Sequence, residues 1–161
     1  MHTSRAFGAG VAGGAVMSLI MWMGRTVMGL PMNLEMMEGT FLVRPPGPVA
    51  WIVGFIMHLV ISGLIALLYA WAFEHVTHRA GWLVGAGFGL VHAVIAGLFM
   101  GMVPAMHPLI PGVLPAPGAF LSNIPMGPVV LFVLHAMYGA VVGAVYGRVV
   151  HPQVARRMAT A

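Results

Sequence analysis

The chain has 161 residues, 60% of them hydrophobic and only 6% charged, with a mean hydropathy of +0.98; a soluble domain carries about 25% charged residues, so a water-soluble fold is excluded. The charged set is seven Arg and three Glu (Glu35, Glu38 and Glu74), with a net charge of +4. The absence of Lys and Asp excludes a lysine Schiff base, a P-loop lysine and an Asp-based triad. The absence of Cys excludes disulfides, iron–sulfur clusters, thiolate zinc and covalent c-type haem.

Four apolar runs are long enough for a bilayer, which takes about 20 helical residues. The first is Ala6–Leu30, ending at Pro31. It exceeds the apolar core of a signal peptide and is expected to be a retained span. The second is Val49–Phe73, opened by Pro45-Pro46-Gly47-Pro48 and closed by Glu74-His75. The third is Gly81–Val103, ending at Pro104, and the fourth is Val129–Val150, between Pro128 and Pro152. Proline starts a helix readily and is costly inside one. In hydrocarbon every backbone polar group needs an internal partner, so the runs are read as helices. The expectation is a single all-α membrane domain over 1–161, a four-helix transmembrane bundle.

The arginines orient it. Four spans put both termini on one side, which holds Arg5, Arg79, Arg148, Arg156 and Arg157, whereas Arg25 and Arg44 lie on the other. The positive-inside rule then places both termini in the cytoplasm of a bacterial inner membrane. The basic C-terminal tail is chiefly a topology signal that would meet the anionic leaflet. The outer side receives 31–48 and 104–128. In the first, Asn33 can cap a one- or two-turn helix that Gly39 ends. The second, with seven prolines and no formal charge, is expected on the membrane surface or against a partner.

Without a hydrophobic drive in lipid, close packing of small residues must hold the helices. Gly10-x-x-x-Gly14, Gly85-x-x-x-Gly89, Gly97-x-x-x-Gly101 and Gly139-x-x-x-Gly143-x-x-x-Gly147 fit either an intrachain bundle or a dimer seam. His58, His92 and His135 each precede a small residue by one helical turn, which puts them on or beside those faces. Intramembrane ionisable residues usually face the bundle interior. Neutral imidazole ligates copper, zinc and iron, so three of them on three helices could hold a metal, or two could be the axial pair of haem b with glycines admitting the ring. Equally, each could simply bond a neighbouring carbonyl or hydroxyl. A proton relay is disfavoured, because the spans contain no acid to partner the histidines.

Most of the 15 Met fall on the outer side. Thioether sulfur favours Cu(I), and Met36, Met37, Met100, Met102, Met106 and His107 could form a route in from outside. Met also fills irregular gaps and adaptable surfaces. Arg25 is expected to pair with Glu35 or Glu38, or with headgroups.

The order of features resembles a group of small, uncharacterised bacterial four-helix membrane proteins. The matching features are a Gly/Ala-rich first span, Met32-Asn33-x-x-Met36-x-x-Gly39, His58, His92, Met106-His107-Pro108, and His135-x-x-Tyr138-Gly139-x-x-x-Gly143-x-x-Tyr146-Gly147. The resemblance implies this architecture and these histidines, and no activity. The expected function is a small integral-membrane protein binding a redox-active metal, copper or haem b, through His58, His92 and His135. It would serve electron transfer or a larger respiratory or oxidase-type complex. A cofactor-free accessory subunit is the alternative, and a small transporter a less favoured one. Expected partners are the lipid bilayer and further copies or a larger membrane complex; nucleic acid is not expected.

Overall fold

A computed structural model describes the backbone of residues 1–159 and the side chains of residues 1–147. It is all-helical over the described residues. The order is α1 (Thr3–Met28), the short α2 (Leu34–Gly39), α3 (Pro48–His75), α4 (Trp82–Met106), a 3-10 turn at Ala119–Leu121, and α5 (Gly127–Ala159). Of these, α1, α3, α4 and the 127–147 part of α5 are long and apolar enough to cross a membrane, which makes the chain a multi-pass membrane protein. Arg148, Arg156 and Arg157, the basic residues of the C-terminal end, lie outside the described side chains.

The helix ends follow local chemistry. Pro48 occupies the first turn of α3 behind Gly47, where its missing N–H costs nothing. The first helix stops at Met28 rather than running to Leu30, because Gly29 takes a left-handed φ of 67° and the Leu30 N–H bonds back to the Gly24 carbonyl at 3.2 Å. Asn33 caps α2 as expected, its side chain accepting from the Met36 N–H at 3.0 Å. The fourth helix passes through Pro104 to Met106. Only the final turn follows that proline, so little ladder is lost.

Packing runs in the order α3, α1, α5, α4, with each neighbour antiparallel to the next, while α3 and α4 hardly approach one another as backbones. The small-residue seams explain this order. A Cβ on Gly10 would strike the Ser62 carbonyl and Ala66 of α3, and one on Gly13 would strike Tyr138 of α5. Gly85, Gly89, Gly139 and Gly143 bring α4 and α5 into direct backbone contact. All these seams are used within the chain. The two ends of α3 and α4 near the termini are bridged by aromatic side chains instead: Phe73 meets Phe88 and Tyr69 meets His92, with ring centroids 5.4 and 6.1 Å apart.

Two segments expected outside the bundle fold back onto it. The proline-rich stretch packs in part against its own bundle. It lays Phe120 into the space left by Gly97 and Ala119 beside Gly101. On the same side α2 lies across α3, where a Cβ on Gly39 would overlap the Ala50 carbonyl and one on Gly54 the Glu35 carbonyl.

These contacts predict an asymmetry among glycines. Gly139→Leu places a side chain against the Gly85 carbonyl and should destabilise the protein by about 1–3 kcal/mol or more. Gly8→Ala, which meets no atom within 4 Å, should leave the midpoint of thermal unfolding in detergent unchanged or slightly raised. Equal effects of the two would contradict the packing described.

Candidate functional site

The separation of α3 from α4 is filled by a cavity of about 470 Å³ on the side away from the termini. Five helices and Leu121 wall it. His58, His92 and His135 all line it, with Glu38 and the six methionines Met17, Met21, Met32, Met37, Met57 and Met100. Its floor is the aromatic bridge described above, where Tyr69 and Tyr138 stand edge to face at 5.6 Å. The Tyr138 hydroxyl donates to the Ser62 carbonyl.

The three histidines are held by their Nδ1 atoms. In His135 the Nδ1–H donates to the Leu131 carbonyl at 2.8 Å. That fixes the tautomer and leaves Nε2 with a lone pair. His92 shares a 3.2 Å hydrogen bond between Nδ1 and the Tyr69 hydroxyl. His58 directs Nδ1 at Oε1 of Glu38, 3.5 Å away. The rings of His92 and His135 touch edge to face with centroids 4.7 Å apart. Gly89 makes this meeting possible, since its bare backbone lies directly on the His135 carbonyl. Among the described residues, no group of three or more His, Cys, Asp or Glu is placed so that it could hold a metal ion.

No carboxylate lies within the spans expected from the sequence. The structure brings them in from α2. Glu35 is fully buried and meets Arg25 of α1 at 3.4 Å, the pairing expected for that arginine. Glu38 faces His58. The signal was present as two acids three residues apart, followed by Gly39 on a capped turn. Reading it required knowing that Gly39 and Gly54 let that turn sink onto α3.

Two atoms in the chamber lack any partner: Oε2 of Glu38 and Nε2 of His58, both buried. A buried polar group left unbonded costs about 1–3 kcal/mol. Two of them on residues that line one cavity of ligand size mark a place for an occupant. The proposed outer route divides. Met37 and Met100 line the chamber, whereas Met102 and Met106 face outward and Met36 is half-buried outside the lining. His107 is buried with both ring nitrogens engaged. Its Nε2–H donates to the Met37 carbonyl at 2.9 Å with Thr40 Oγ1 at 3.2 Å, and Nδ1 accepts from the Leu109 N–H at 3.1 Å. It clasps the proline-rich segment to α2. On the opposite side of the bundle, His75 and His78 donate to the Trp71 and Glu74 carbonyls.

The Arg25–Glu35 pair should behave as a buried ion pair. Arg25→Ala strands the Glu35 charge and should cost about 3–5 kcal/mol in thermal or denaturant unfolding. Adding Glu35→Gln should recover most of that loss. A single-variant loss below about 1 kcal/mol would place the pair among weak surface bridges.

No curated protein and no solved structure matches this chain. The sequence profile of DUF6789, a family of unknown function, matches residues 2–156. With nearly its whole length covered, the chain belongs to the DUF6789 family.

Proposed function

We propose that this protein is an integral-membrane binder of Cu(I), an ion that would draw the Nε2 atoms of His58, His92 and His135 together across the chamber, with thioether sulfur completing the set. It would serve electron transfer or a larger respiratory or oxidase-type complex in a bacterial cytoplasmic membrane, with both termini cytoplasmic as the arginine count favours. The carrying observation is the anchoring of the Nδ1 atoms. In metal sites the outer ring nitrogen is held by a carboxylate, carbonyl or similar group, which turns the other nitrogen to the ion. Glu38 and the Leu131 carbonyl stand in those places for His58 and His135. The six methionines favour a soft monovalent ion over a hard one. Glu38 would balance its charge, so a neutral unit would sit in the low-dielectric interior.

Haem b is the poorer fit. Axial imidazoles bind from opposite faces of the porphyrin, but His92 and His135 are in ring contact with each other. The glycines that could have admitted a flat ring are occupied by neighbouring backbone and by Phe120.

The test is anaerobic titration of the detergent-purified protein with Cu(I) against a chromophoric chelator. One copper per chain is expected, with nitrogen and sulfur scatterers in X-ray absorption. Alanine at all three histidines should abolish binding, and Glu38→Ala should weaken it by about 10–100-fold. Full-strength copper binding by the triple variant would reject the assignment, as would a stoichiometric Soret band in the protein as isolated.

A further inference from the structure

The chamber is far larger than an ion needs, and it opens sideways. A water molecule takes about 30 Å³ of liquid volume, against a cavity of about 470 Å³. Its lining residues Ile61 on α3 and Ile95 and Phe99 on α4 are 41%, 63% and 46% exposed. They therefore form a mouth between two helices that do not pack together. This mouth lies along the spanning helices, so it faces hydrocarbon rather than water.

The unbonded atoms define what such a mouth could admit. Glu38 Oε2 and His58 Nε2 are both acceptors when the Nδ1–H of His58 faces the carboxylate. His58 is ten residues into α3 from Pro48, about 15 Å along the axis. A phosphate or ammonium headgroup would resist that depth. The complement is a small neutral head that donates hydrogen bonds and carries an apolar body. A phenolic O–H suits a carboxylate better than an aliphatic one, because it is the more acidic donor. Phe41, Phe99 and Tyr138 supply aromatic walls for the ring.

We propose that the metal-free chamber binds a lipid-soluble hydroquinone or related phenol, which enters between α3 and α4 and donates its hydroxyl hydrogen to Oε2 of Glu38, with its ring beside His58. The inference uses the mouth and the two acceptors, and it does not rest on copper. Because both ligands would occupy the space beside Glu38 and His58, they should exclude one another.

The experiment measures retention of a decyl-tailed benzohydroquinone by the copper-free protein in nanodiscs, under anaerobic conditions and against empty nanodiscs. Saturable uptake of one molecule per chain is expected. The hydroquinone dimethyl ether, which keeps the shape and loses both donors, should bind about tenfold more weakly. Glu38→Ala should erase that difference, and Ala96→Phe, which fills the chamber from α4 and leaves the Glu38–His58 pair in place, should block uptake of both. Equal retention of hydroquinone and ether by the native protein would overturn the proposal, as would no saturable uptake. Displacement of the hydroquinone at equal affinity by a saturated sterol alcohol would overturn the phenolic assignment. Copper stoichiometry is read separately, so a failed copper titration with ether-sensitive hydroquinone uptake sinks only the metal reading.

Discussion

Where Gly54 faces the Glu35 carbonyl and Gly39 faces Ala50, no side chain stands between α2 and α3. Two backbones meet directly, and dispersion across that contact replaces the hydrophobic drive that lipid cannot supply. The same device sets α1 on α3 through Gly10 and α4 on α5 through Gly85, Gly89, Gly139 and Gly143, while Gly13 lets α1 close on Tyr138 of α5. Helices drawn this close at three seams leave the fourth pair, α3 and α4, apart. The chamber is therefore a by-product of where the glycines are, and its polar contents depend on how deeply α2 is seated.

The contents divide by role. Arg25 neutralises Glu35 and leaves Glu38 to face the cavity. His107 and Thr40 tie α2 to the proline-rich segment, whose own hold on the bundle is Phe120 against Gly97. The aromatic residues Tyr69, Phe73, Phe88 and Tyr138 close the floor. Each imidazole is braced on one nitrogen, by a different kind of partner in each case. The outcome is a cavity whose orphan atoms carry lone pairs and whose walls carry thioethers, a lining suited to cations and to hydrogen-bond donors.

Much of this was legible in the residues. Hydropathy marked the four spans, Asn33 and Gly39 marked α2, and the small-residue spacings marked the faces that pack. What stayed hidden was tertiary. Nothing local to His92 and His135 says that their rings touch, because that follows from Gly89 lying on the His135 carbonyl one helix away. Nor does a count of acids within spans find Glu38, which reaches His58 from a segment that never crosses. His107 stands beside methionines in the chain, which by itself suggests a shared ligand role. Its contacts are backbone groups of α2 and its own turn, which only the folded-back loop brings near. Pro104 illustrates the reverse error, a strong local stop signal overridden within the last turn of α4.

The seating of α2 also bears on how such a protein is made. A charged residue at the centre of an inserting segment costs about 2.5–3.5 kcal/mol on insertion scales. Here no acid travels in the middle of a span. Glu35 and Glu38 ride on a short turn that can dock sideways once α1 and α3 are in place, meeting Arg25 and His58 as they leave water. The inserting helices thus carry imidazoles and Arg25 but no acid at their centres, and the two carboxylates of α2 can be added from the side.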